Sequence, residues 1–291
     1  MTPGMLCAVS LAALVPQEKQ PAPQVAWRPA APLQGSVVMI GVRAPVVDSL
    51  RGVQGELAGE PLHFELIDGW FRAIAGVPVA ARAHVRARLV LERPGGVRDT
   101  LTRSLPVSRR RTTSERLRTD QRFVQPPESL APRLESERVL VRELKRRAHD
   151  GPRLWSEQFQ LPRPGPVIDE FGTRRVFNGR LSSRHMGADF SGRRGDSVVA
   201  TNRGVVAFAG DLYYSGTTVF IGHGAGLLTA YLHLSQVLVA PGDTVSAGQL
   251  IGLVGASGRV TGPHLHWFAS YGGVTVDPMA LLNVDLTAPL P

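Results

Sequence analysis

The sequence predicts an all-β protein interrupted by one short helical linker, with a small N-terminal β-sandwich and a C-terminal β-sheet domain. Three observations lead there. Glycine (31) and proline (23) are plentiful, which favours many short strands joined by turns. Short apolar or alternating runs recur at regular spacing in residues 24–108 and again after residue 164. Only one stretch, residues 131–148, carries a helical period: Leu134, Val141, Leu144 and Ala148 recur with charges between them.

The elements follow in order. Residues 5–15 (M-L-C-A-V-S-L-A-A-L-V) are short and apolar, and a polar, proline-rich stretch follows. Residues 1–23 therefore read as an export signal and linker. No Lys or Arg precedes the run, and Gly4 three positions before Cys7 spoils a lipoprotein box. Within 24–108, residues 36–42 form an apolar, β-branched strand. Residues 63–67 and 70–75 flank Asp68-Gly69, a tight hairpin turn. Residues 83–91 alternate as a half-buried strand, and 99–107 return as its partner. His63 and His84 stand apart from other ligands and read as core or surface histidines. Residues 109–163 form the helical linker, with Pro132 in the first helical turn and Pro152 and Pro162 marking its extended end. Residues 164–285 form the last domain, with strands near 197–201, 204–209, 217–222, 227–234, 250–254 and 262–270.

Composition excludes several classes. With 43% hydrophobic and 20% charged residues the chain is globular, and its length suits two domains. A single cysteine, Cys7, rules out an internal disulfide and a cysteine-based zinc site. The net charge of +9 suits a polyanionic partner. The basic runs at 109–111 and 145–147 have no recognition-helix or RNA-module signature beside them, so they read as solvated faces and nucleic acid is not expected.

Chemistry concentrates in five polar residues: His185 and Asp189 in R-H-M-G-A-D, His233 in Y-L-H-L, and His264 and His266 in G-P-H-L-H-W. Two histidines and one carboxylate hold a zinc ion with one position open, and two histidines remain to handle protons. His264 and His266 share a face of their strand, and Tyr231 and His233 share one by the same rule. Met186-Gly187-Ala188 reads as a turn. The joint occurrence of H-x-x-x-D, Y-x-H-L and H-x-H in that order is far more specific than any one of them.

These stretches, with F-G-T-R-R-V-F-N-G (171–179) and P-G-D-T-V-S-A-G-Q-L-I-G-L-V-G-A-S-G-R-V-T-G-P-H-L-H-W (241–267), resemble the lysostaphin-type, LytM-like zinc endopeptidases that cut peptide cross-links of bacterial peptidoglycan. The resemblance covers nearly all of residues 164–282. It implies a LytM-like β-sheet peptidase domain holding one zinc ion per chain. It matches His185, Asp189 and His266 to the zinc ligands, and His233 and His264 to the catalytic histidines, without saying which of the two is the general base. Arg174, Asn178 and Tyr231 are candidate substrate-binding residues. His223 reads as structural or groove-edge; Asp243 and Asp277 read as turn residues. The layout resembles envelope members of didermic bacteria. It implies an exported, monomeric enzyme of the periplasm or cell envelope, cleaving D-alanyl–diaminopimelyl bonds of peptidoglycan, with an envelope regulatory protein as a partner. The N-terminal domain or the helix is expected to cover the groove. The alternatives are a polyglycine-bridge endopeptidase and a non-catalytic regulator of other wall hydrolases.

Overall fold

The computed structural model describes residues 22–46 and 49–291. The export segment read at 5–15 lies outside them. The all-β reading is borne out: the described residues hold one α-helix, Ala131–Arg147, and otherwise strands and short 3₁₀ turns. No helix among them is long and apolar enough to cross a membrane.

Residues 24–106 form two four-stranded antiparallel sheets. One runs in the order Gln24–Arg28, Val37–Arg43, Trp70–Gly76, Glu65–Ile67; the other in the order Glu60–Pro61, Gly52–Leu57, His84–Glu92, Arg98–Pro106. The strand His84–Glu92 shows why they stack. Val85, Ala87, Leu89 and Leu91 are buried on one face, while the arginines between them face water. Ile40, Val42, Leu57 and Leu105 complete this core. Asp68 and Gly69 both have positive φ, as the predicted tight turn requires.

The C-terminal half is built on a ten-stranded sheet. Its main path runs Val167–Asp169, Ala188–Ser191, His264–Tyr271, Leu227–Val237, Gly216–Gly224, Gly204–Leu212, Thr244–Val245. One face of the central strand packs Leu227 and Tyr231 into the core shared with the sandwich. The other face carries Leu228 and Ala230, which with Leu212 and Phe220 receive Leu144 and Ala148 of the helix. The helix thus packs on the sheet through the face its periodicity marked out. Burying each such leucine contributes about 1.5–3 kcal/mol, so the helix is a layer of the fold. Strand parity also places it beside the histidines. Phe268, which packs with this helix cluster, shares its face of the strand His264–Tyr271 with His264 and His266.

A second sheet links the linker to this half. Ser114–Leu117, within the stretch read as a helical linker, pairs parallel with Arg174–Phe177, which pairs antiparallel with Leu181–Arg184. The chain's end returns to the sandwich: Arg72 donates to the carbonyls of Leu286 (2.6 Å) and Ala288 (2.9 Å). Arg153 of the linker pairs with Glu65 of the sandwich (2.6 Å), and Arg110 of the linker with Asp277 of the C-terminal half (2.9 Å).

Candidate metal centre

His185 ends the hairpin Arg174–Phe177/Leu181–Arg184, Asp189 sits on the next strand, and His266 lies directly opposite Asp189 in register. Their ligand atoms all lie within 4.8 Å of one another. His185 Nε2 is 3.0 Å from Asp189 Oδ1 and 3.0 Å from His266 Nδ1; His266 Nδ1 is 2.7 Å from Asp189 Oδ1. All three residues are at least nine-tenths buried.

The proton inventory shows whether a cation fits. His185 Nδ1 donates to the Glu170 carbonyl at 2.9 Å. A neutral ring so oriented turns the Nε2 lone pair towards an anionic oxygen and a second imidazole nitrogen. Three such atoms stay in contact only around a positive charge, either a proton or a metal cation. Burial disfavours the protonated ring and pushes His266 down to about 4, against the opposing effect of Asp189. On Asp189 burial acts upwards, but the charge and hydrogen bonds offered by His266 and His185 outweigh it and hold the carboxyl well below its usual range. The donor set therefore fits a metal ion.

Asp189 is itself held in place. Its Oδ2 accepts from Arg175 Nη2 at 2.5 Å, and Arg175 also donates through Nε to Asp169 at 2.7 Å. Oδ1 is left facing the two histidines. Gly187 is required by close approach: a Cβ there lies 2.5 Å from both His266 Nε2 and the Trp267 carbonyl. Gly187→Ala is expected to destabilise the fold by about 1–3 kcal/mol and to shift His266, read as a lower Tm and weaker metal uptake in the same preparation.

The other two histidines flank this trio. His233 and His264 have ring centroids 5.0 Å apart, and His233 is 5.9 Å from the His266 ring. Both turn Nδ1 away, to the carbonyls of Ser257 (2.8 Å) and Gly262 (2.8 Å), so both present Nε2 to the site. His264 Nε2 lies 3.6 Å from Asp189 Oδ2. Burial, then the neighbouring His266 and His264, hold His233 well below its usual pKa, so its ring is neutral at pH 7.

The structure thus brings all five core residues together. Of the candidate substrate contacts, Tyr231 is turned into the core. Tyr231 does not share a face with His233. A bulge intervenes: Thr217 pairs with Leu234 but Val219 with Tyr231, so Leu232 and His233 oppose Thr218 alone. His233 takes up the extra residue with φ 64°, its N–H donating to the Ser215 carbonyl at 2.9 Å. Tyr231 is fully buried, and its hydroxyl bonds Thr201 (2.9 Å) and Thr229 (3.2 Å). Asn178 is occupied by the linker: it accepts from Thr119 N at 3.0 Å and donates to Thr119 O at 2.9 Å. Arg174 is exposed, and its neighbour Arg175 is the residue that reaches the site. His223 is fully buried between the Arg203 carbonyl and Thr229, a structural residue rather than a groove-edge one.

Comparison with known proteins agrees with this geometry. Residues 183–278 match the family model "Peptidase family M23". These residues are an M23 peptidase domain. The M23 domain carries all five polar residues. A stretch of 107 residues, 37% of this chain, is 43% identical to the peptidoglycan DD-endopeptidase ShyA of Vibrio cholerae, of which it covers 25%. Another of 105 residues, 35% of the chain, is 42% identical to the DD-carboxypeptidase/endopeptidase Mpg of Neisseria meningitidis, covering 24% of it. The chain thus matches about a quarter of the length of these curated relatives. A Pseudomonas aeruginosa crystal structure assigned to peptidase M23 superposes with a TM-score of 0.65 at 27% identity, over 86% of this chain and 94% of that one. That superposition extends beyond the M23 domain into the N-terminal half.

Proposed function

We propose that this protein is a zinc-dependent endopeptidase that hydrolyses peptide cross-links of bacterial peptidoglycan, of the D-alanyl–diaminopimelyl type. The observation that carries this reading is the convergence of three metal-ligand atoms with two further imidazole Nε2 atoms. The DD-endopeptidase relatives supply the substrate class. His185 Nε2, Asp189 Oδ1 and His266 Nδ1 would hold the zinc. Bound there, zinc supplies a Lewis acid with one coordination position left for the reacting groups.

The chain's own residues do the rest. His233, held neutral, accepts a proton from the attacking water and passes it to the leaving amine. His264 faces the same space from the opposite strand and supports the oxyanion as the carbonyl becomes tetrahedral. Arg175 fixes the Asp189 carboxylate so that one oxygen stays aimed at the metal position. Residues 24–108 serve as an accessory domain to the catalytic unit of 164–285. Residues 109–163 contribute a strand and a helix to that unit's framework. The enzyme acts as an exported monomer at the cell envelope, where a regulatory protein controls it and its net positive charge favours docking on an acidic wall polymer. Digestion of cross-linked peptidoglycan with and without zinc tests the reading.

A further inference from the structure

The loop between the strands Leu250–Val254 and His264–Tyr271 supplies both carbonyls that orient the catalytic rings, at Ser257 and Gly262. Between them stands Arg259. Its backbone N–H donates to the Tyr214 carbonyl at 2.9 Å. Its guanidinium lies 4.6 Å from the Phe177 ring centroid and 5.1 Å from that of Tyr214. Phe177 belongs to the hairpin that leads to His185. Tyr214 belongs to the turn whose Ser215 carbonyl holds His233. Two aromatic rings, from two segments that each lead to a histidine of the site, thus hold one cation between them.

Buried or partly buried arginines elsewhere end on protein oxygens: Arg110 on Asp277, Arg153 on Glu65, Arg163 on Asp196, Arg175 on Asp169 and Asp189, and Arg72 on the Leu286 and Ala288 carbonyls. Arg259 is partly buried too, and among the described residues no carboxylate lies within ion-pair distance of it. Burial works against its charge, and the nearby Arg175 adds repulsion. A desolvated cation without an anion is costly unless a ligand supplies one.

We propose that Arg259 is a specificity residue that pairs with a free carboxylate of the peptide substrate next to the scissile bond. The proposal rests on the endopeptidase reading above and names what that site selects. In a D-alanyl–diaminopimelyl cross-link, the residue on the leaving-amine side carries a carboxylate on the same carbon as the amine. Polyglycine bridges and amidated peptides lack that group. Guanidinium recognises carboxylate through paired N–H donors, which an ammonium does not reproduce.

The test compares two synthetic cross-linked peptides, one with the free carboxylate and one with its carboxamide, in the zinc-loaded full chain. The wild type is expected to favour the carboxylate by roughly 10- to 100-fold in kcat/KM, the range of one charge-assisted hydrogen-bond pair. In Arg259→Met, which keeps an unbranched apolar stem between Phe177 and Tyr214, that preference should fall to within about 2-fold, mainly through KM. Arg259→Lys should recover part of it. Calorimetric binding of the same peptides to the metal-free chain separates the two ways of failing. Cleavage with equal kcat/KM for both peptides overturns the role of Arg259 and leaves the peptidase reading standing. Carboxylate-selective binding that Arg259→Met abolishes, without cleavage by the wild type, supports the carboxylate seat and rejects the peptidase. Neither cleavage nor selective binding overturns both.

Discussion

Asp189→Ala and His266→Ala should each lose zinc and hydrolysis together. Asp189 is the only carboxylate of the trio, and its Oδ1 touches both ligand histidines, at 3.0 and 2.7 Å. Without it, two neutral imidazoles remain to hold a divalent cation, with Arg175 and its positive charge left nearby and one acid short. Loss of an outer-shell partner already costs roughly 10- to 100-fold in metal affinity or activity, and loss of a ligand exceeds that. His266→Ala removes the Nδ1 donor and leaves a gap in the strand opposite Asp189. Metal content per chain and cross-link cleavage, measured on the same preparations, check the expectation. A variant that keeps one zinc per chain at wild-type affinity would remove its residue from the ligand set.

His264→Ala should separate the two properties. Its Nε2 stands 3.6 Å from Asp189 Oδ2 and lies outside the cluster of three ligand atoms. Its Nδ1 is spent on the Gly262 carbonyl. Zinc should therefore remain bound while hydrolysis falls by roughly 10²- to 10³-fold, the scale set by removing one donor to a developing oxyanion. Full activity in this variant would overturn the role assigned to His264. Loss of zinc would move it into the ligand set.

Much of the site was legible because its parts are local. H-x-H on a strand puts His264 and His266 on one face by parity alone, and the glycine in H-M-G-A-D announced a turn before Asp189. The sandwich was legible where alternation was clean, as in His84–Glu92. The strand Gly52–Leu57 was missed because glycines interrupt its pattern, and Ser114–Leu117 because its partner is 60 residues away in sequence. The error at Tyr231 has a specific cause. Parity assumes a regular strand, and one bulge at Leu232–His233 turns His233 to the other face while Tyr231 stays in the core. His233 holds φ 64° as a non-glycine residue, at a cost on the order of 1 kcal/mol. No pattern in Y-L-H-L reveals it. Arg259, and the clamp of Arg175 on Asp189, escaped for a related reason. Arginine is common throughout this basic chain, and only the three-dimensional arrangement shows one clamping Asp189 and the other held between Phe177 and Tyr214.

The central claim is tested most directly by digesting purified cross-linked peptidoglycan with the full chain, as isolated, after chelation and after zinc is restored, and reading the products by mass spectrometry. The account predicts that cross-linked dimers become monomers by cleavage of the D-alanyl–diaminopimelyl bond, that chelation stops the conversion, and that zinc restores it. Conversion unaffected by chelation, or intact dimers with a folded, zinc-loaded protein, would contradict it.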